Sequence, residues 1–309
     1  MKKHLFSILI VAMFIIGLSV LLYPAISEYI NSKHASRVIA SYNDVLSTSD
    51  DRKIESIFNA ASDYNSRLRD KPHAFFDPSI ISGYDETLDI TQTGIMGYID
   101  IDKINVELPI YHGVEKEVLQ VGIGHLPGTS LPVGGESTHS VLSGHRGLPS
   151  AKLFTDLDDI EIGDEFTITI LNRLLTYKVD QIVTVLPEET DQLQIVPGKD
   201  YCTLMTCTPY GINTHRLLVR GVRTENAVVK PGVFVKNEAF KVDTLIVTPI
   251  TAIPLLIIAL FLVFTHDKRQ KRRSSKSGRK AARQPVSEDT DPKNESLRKQ
   301  GDEIADQEE

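Results

Sequence analysis

The sequence predicts a mainly β protein: a closed β-barrel with short helices, preceded by an N-terminal helical region and a long loop, and flanked by two transmembrane helices. Three observations predict it. Between residues 95 and 226, short β-favouring runs follow one another closely, divided by turns rich in glycine and proline. Residues 35–70 instead place apolar side chains at helical spacing among charges. Near each end of the 309-residue chain lies a long run without a charge.

Lys2 and Lys3 precede eighteen apolar or small residues, 5–22. Such a run is long enough for a membrane span and longer than the core of a cleaved signal. Residues 1–4 are therefore read as a cytoplasmic N-terminus and 5–23 as an uncleaved signal anchor. Residues 24–70 form the N-terminal helical region, with Val38, Ile39, Val45, Leu46, Ile54, Ile57 and Leu68 on helical spacing. Pro72 and Asp77-Pro78 break that pattern, so 71–94 is a loop, with apolar patches at Phe75-Phe76 and Ile80-Ile81.

Residues 95–226 are the barrel. Strands are expected at 95–101, 106–111, 138–143, 165–171, 174–185, 200–206 and 216–223. One or two helical turns are expected at 118–124 and a short helix at 151–157. Residues 227–243 are a juxtamembrane stalk and 244–265 a second transmembrane helix. Its run 244–264 carries no charge, and its Pro249 and Pro254 are better tolerated in a membrane than in a soluble helix. Lys268, Arg269, Lys271, Arg272 and Arg273 follow at once and mark a cytoplasmic flank, as Lys2 and Lys3 do for the first span. Both termini are thus expected in the cytoplasm, with 24–243 outside the cell membrane. Residues 266–309 lack apolar periodicity and read as a disordered cytoplasmic tail.

The net charge of −7 is unevenly placed: 268–283 are basic and 288–309 acidic. A basic run directly after a span favours contact with anionic membrane lipid over nucleic acid, and no nucleic-acid partner is expected. Cys202 and Cys207 are the only two cysteines, in a segment read as exported. Five positions apart on a strand, they face opposite sides, which argues against a disulfide between them. Cys202 reads as a small buried hydrophobe.

Cys207 reads differently. It ends the apolar run 201–206, Pro209 stops that run, and Arg216 opens a second strand nine residues on. A guanidinium beside a thiol stabilises a thiolate or an oxyanion, and the thiolate is the reactive form of cysteine. His145 lies 62 residues upstream, after a strand and between two glycines, as a candidate acid/base. His215 is its rival, but neighbouring strand residues face opposite ways, so if Arg216 faces Cys207, His215 does not. His112, His125 and His139 lie near turns or strand starts and read as structural or solvated; His73 falls in the loop, and His34 and His266 flank the spans.

Thr203-Leu204-Met205-Thr206-Cys207, with Arg216 and the upstream Ser143-Gly144-His145-Arg146-Gly147, resembles the sortases, cysteine transpeptidases of Gram-positive surfaces. The resemblance covers about residues 70–225, including Leu126-Pro127-Gly128-Thr129-Ser130 and Leu153-Phe154-Thr155-Asp156-Leu157. The second span and the loop with Asp77-Pro78 are similar to class C, the pilus-assembling sortases. The resemblance implies a sortase-type barrel with Cys207, His145 and Arg216 as its catalytic residues and no cofactor. It implies that 71–94 is a lid whose Asp-Pro-aromatic motif points Asp77 at Arg216 and the aromatic over Cys207. Pro78 matches, Ser79 stands where the aromatic is expected, and Phe75 or Phe76 is the candidate substitute. The implied reaction cleaves an LPxTG-like sorting signal between Thr and Gly through a thioester. The acceptor is a lysine amine of the next pilin, so the partners are pilin precursors with C-terminal sorting signals. Competing readings are a housekeeping-type sortase acting on a cell-wall precursor, a processing cysteine protease, and a non-catalytic membrane scaffold.

Overall fold

Apolar side chains alternate with polar ones along the strands that follow residue 94, so each strand has one face to bury. The computed structural model describes residues 2–226, in which eight strands bury that face together. They are β1 (Ile95–Ile101), β2 (Val106–His112), β3 (Ile123–His125), β4 (Thr138–Ser143), β5 (Glu165–Ile170), β6 (Arg173–Val185), β7 (Asp200–Thr208) and β8 (His215–Thr224). They close into a barrel in the order β1-β2-β3-β4-β7-β8-β6-β5. Closure leaves no free sheet edge. The β2–β3 and β4–β7 pairs are parallel and the others antiparallel. Met96, Ile99, Ile110, Ile123, Leu142, Ile168, Leu204 and Val219 fill the interior.

Two helices precede the barrel: α1 (Lys2–Ser47) and α2 (Asp51–Arg69). The expected boundary between a span at 5–23 and a separate helical region is no break in the backbone, because α1 runs straight through Pro24. Its part from Ala12 is long and apolar enough to cross a membrane. The helix ends by planting Tyr42 in the barrel, where the hydroxyl donates to Met96 O and accepts from Leu171 N–H, both at 2.8 Å. Asp50 caps α2 by accepting from the Arg52 N–H. On α2, Asn65 is 4 % exposed and exchanges two hydrogen bonds with the backbone of Leu131, at 3.0 and 2.7 Å.

Two expectations are corrected here. Residues 118–124 hold one turn of helix, α3 (Lys116–Leu119), after which Ile123–His125 pairs with β2 as a strand. Tertiary pairing overrides the local helical reading there. Residues 151–157 form no helix: Leu153 takes φ 43°, and the Phe154 N–H is spent on the carbonyl of His145 at 3.1 Å. Within the loop 71–94, Pro72–Phe75 and Pro78–Ile80 are short 3-10 turns. The stalk at 227–243, the second span at 244–265 and the tail at 266–309 lie outside the described residues.

Candidate active site

Strand pairing assembles the site. Cys207 on β7 is the direct cross-strand partner of Arg216 on β8. Direct partners share a face, with Cβ atoms about 4.5–5.5 Å apart. On the other side of β7, the parallel pairing with β4 runs to Ser143 opposite Met205. Continued by two residues, that register sets His145 level with Cys207. The continuation is fixed by bonds, because Gly144 N–H donates to Met205 O at 3.0 Å and Thr206 Oγ1 donates to Gly144 O at 2.8 Å. His145, Cys207 and Arg216 therefore occupy one row across three neighbouring strands, on the barrel's outer face.

Alternation separates the two thiols. Cys202 is fully buried in the barrel, where burial pushes its thiol well up. Cys207 is partly exposed, and both cysteines are free. Alternation also disposes of His215, whose ring nitrogen meets Thr214 Oγ1 at 2.9 Å. His145 is partly buried, and desolvation lowers its pKa. Arg216 is partly exposed, with one guanidinium nitrogen on the carbonyls of Asn213 and His215 at 3.4 and 3.1 Å. A partly exposed thiol between an imidazole and a guanidinium is equipped for acyl transfer: nucleophile, proton carrier and oxyanion donor in line.

Two glycines around His145 serve packing. A Cβ at Gly144 would come within 2.6 Å of the Phe154 ring, which passes beneath. Gly147 has φ 74° and lies against the Tyr210 ring, where a Cβ would meet it at 2.9 Å. Arg146 turns from the row, pairs with Asp158, and lies 5.9 Å from the Tyr210 ring centroid.

An apolar row lies beside that of Cys207 on the outer face. This row is Val183, Leu218, Met205 and Ser143. With Val141, Leu193, Leu126 and Val185 it makes a second apolar cluster outside the main core, and Phe75 packs onto it. The loop 71–94 thus rests on this cluster through Phe75, while its neighbour Phe76 is 70 % exposed. Farther on, Tyr84 anchors the loop: its hydroxyl bonds the carbonyl and ring of His125, both at 3.0 Å, and accepts from Gly113 N–H at 3.0 Å.

Asp77 departs from expectation. Its carboxylate accepts from the Ser79 N–H at 3.2 Å and the Ser79 hydroxyl at 2.5 Å, capping the Pro78–Ile80 turn. Among the described residues no ion pair joins it to Arg216. A hydroxyl and an N–H two residues on satisfy the carboxylate locally. Of the two aromatics that the sequence offered in place of Ser79, Phe75 is the one that packs on the outer face; Tyr210 was not read from the sequence as part of the site, and only the flanking glycines hinted at its close packing. Among the described residues, no group of three or more His, Cys, Asp or Glu side chains is placed to hold a metal ion.

Comparison with known proteins agrees with this geometry. The family described as "Sortase domain" matches residues 99–224. The crystal structure of sortase C1 from Streptococcus agalactiae is similar, at 52 % identity and TM-score 0.57, covering 62 % of this chain and 100 % of that one. So is sortase C from Clostridium perfringens, solved with the C-terminal cell wall sorting motif, at 44 % identity and TM-score 0.55, covering 62 % and 100 %. "Sortase A" of Streptococcus agalactiae serotype III (strain NEM316) is 31 % identical over 117 residues, 37 % of this chain. That match spans about half, 47 %, of the length of that curated relative.

Proposed function

The chain belongs to the sortase family of cysteine transpeptidases, and from that premise we propose that it is a class C enzyme joining pilin subunits at the cell surface. The observation that carries the reading is the row His145–Cys207–Arg216, set by the β4–β7 and β7–β8 registers. The Cys207 thiolate attacks the Thr carbonyl carbon of an LPxTG-like signal, forming a C–S bond. Arg216 donates hydrogen bonds to the carbonyl oxygen as it becomes an oxyanion. The Thr–Gly C–N bond breaks as His145 gives its proton to the leaving glycine amine. A lysine amine of the next pilin then attacks the thioester, His145 takes a proton from it, and Cys207 leaves as the thiolate.

Loop 71–94 acts in this reading as a lid, held on the outer apolar cluster by Phe75. The apolar helix α1 is the membrane anchor. The second span at 244–265 and its basic flank make the protein two-pass, with both termini cytoplasmic and the barrel outside.

The test supplies the full chain in detergent with a sorting-signal peptide and two acceptors together: a pilin domain bearing the acceptor lysine and a cell-wall precursor amine. Mass spectrometry of the trapped acyl-enzyme and of the product is expected to show a thioester on Cys207 and then an isopeptide bond to the pilin lysine. Transfer to the precursor alone makes the protein a housekeeping-type sortase. Acid product with neither acceptor used makes it a protease, and no thioester at all leaves only a scaffold.

A further inference from the structure

The segment that carries His145 has little regular structure. Between the end of β4 at Ser143 and the 3-10 turn Leu157–Asp159 it has one bridge, Leu148 to Ala151. Internal bonds gather its second half: Phe154 N–H to His145 O and Gly147 N–H to Thr155 Oγ1, both at 3.1 Å, Thr155 N–H to Lys152 O at 2.8 Å, and a Lys152–Asp156 ion pair at 2.7 Å. Its middle is held from outside the barrel. Asn31 on α1 donates through Nδ2 to the carbonyl of Ser150 at 2.5 Å. Glu28, one turn earlier on the same helix face, accepts from the backbone N–H of Lys152. Between them Tyr29 and Ile30 are 64 % and 59 % exposed. The helix therefore turns two polar side chains, and not its large apolar ones, to the loop.

We propose that Glu28 and Asn31 are positioning residues for His145, so that the anchor helix itself sets where the acid/base group stands. Without them the Ser150 carbonyl and the Lys152 N–H lose these partners, and the path of 148–152 is left to the loop's own bonds and the packing of Ala151 and Leu153. A carboxylate on a backbone N–H is a charge-assisted bond, stronger than a neutral one. The two contacts lie five and eight residues beyond Tyr23, about 8 and 12 Å along a helix at 1.5 Å per residue. The His145 loop is thereby held close to the end of the expected span.

This inference rests on the transpeptidase reading, and its test separates the two. The full chain in detergent is assayed with a soluble sorting-signal peptide and a lysine-bearing acceptor, so that delivery from a membrane plays no part. Glu28→Ala and Asn31→Ala are each expected to lower kcat by about tenfold with peptide KM unchanged, as misplacement of an acid/base group does. Glu28→Gln keeps an acceptor oxygen at the same reach and should retain most of kcat; Asn31→Asp, which loses the donor, should not. Alanine is the best helix former, so helix folding is not at risk. Amide hydrogen exchange over 147–152 should quicken in both alanine variants and stay slow in Glu28→Gln. Unchanged kcat and exchange in the alanine variants, or Glu28→Gln as impaired as Glu28→Ala, would overturn the proposal. The exchange result decides it even if the wild-type chain transfers no acyl group, which would sink the transpeptidase reading alone.

Discussion

Asp77 and Ser79 are bonded to each other: the carboxylate accepts from both the hydroxyl and the backbone N–H of Ser79, two residues on. Among the described residues, then, no ion pair from Asp77 to Arg216 ties the loop to the outer face of the barrel. Phe75, packed beside Val141, Leu218 and Met205, supplies the apolar contact instead. Phe75→Ala is expected to speed thiol alkylation of Cys207 by about tenfold, the scale of losing a buried aromatic's burial energy. Phe76→Ala, at a 70 % exposed position, should change it little. Asp77→Ala should act more weakly than Phe75→Ala, through the turn alone. Equal alkylation rates in wild type and Phe75→Ala would reduce the segment to a plain surface loop.

Opposite faces of β7 predict opposite reactivities for its two thiols. A limiting alkylating reagent on the native protein should modify Cys207 and leave Cys202 intact, as peptide mapping would show. Cys207→Ala should abolish acyl transfer with the fold retained, and Cys202→Ala should keep most activity. A lethal Cys202→Ala beside a tolerated Cys207→Ala would reverse the assignment.

The direct pairing of Cys207 with Arg216 makes the guanidinium's shape matter. Arg216→Ala and His145→Ala should each lower turnover by about a hundredfold or more. Arg216→Lys should recover little, because an ammonium lacks the planar fork. His215→Ala should be mild, since its ring is turned to Thr214. Steady-state rates for the four variants decide this, and full activity in His145→Ala would remove the mechanism.

The strands were legible because alternation and turn residues are local signals, and β4 at Thr138–Ser143 falls where the pattern puts it. Cys207 with Arg216 was legible for the same reason: a hairpin's register follows from the short connection between them. What depends on distant partners was not. Ile123–His125 becomes a strand because β2 lies beside it, and 151–157 stays irregular because Phe154 is bonded to His145. Likewise the choice of Asp77 between Ser79 and Arg216 is a competition of distances, which a motif does not encode.

Asn65 offers a test of how the helices are fastened to the barrel. Its buried amide pairs with Leu131 as a strand neighbour would. Asn65→Ala leaves the buried Leu131 N–H without its partner, while the Leu131 carbonyl keeps the Val133 N–H at 2.8 Å, at a cost of about 1–3 kcal/mol. Asn65→Asp should also destabilise, because the lost amide donor leaves the Leu131 carbonyl facing a carboxylate. Chemical denaturation should show both losses at an unchanged m-value, and wild-type stability in either variant would show that α2 is fastened elsewhere.

Acid stability should follow from two histidines that the reaction does not use. Burial pushes His125 and His139 down to about 4, from an ordinary value of 6.5. His125 is enclosed with Tyr84 and the Ser130 carbonyl, and His139 spans from Gln194 O to Thr203 Oγ1 at 2.9 and 2.7 Å. Above pH 6.5 both rings are neutral in the folded and unfolded chain alike, so neither makes stability depend on pH. Between 6.5 and 4 the unfolded chain takes up a proton at each ring and the folded chain does not. Stability therefore falls as pH drops, by up to about 1.4 kcal/mol per pH unit for each ring. Below pH 4 the folded rings protonate too and this contribution levels off. Unfolding free energies from pH 7.5 to 4 should show this slope, and His139→Gln, whose amide can bond on both sides without titrating, should flatten it by one ring's share. A His139→Gln variant with the wild-type slope would mean that the ring titrates normally in the folded protein.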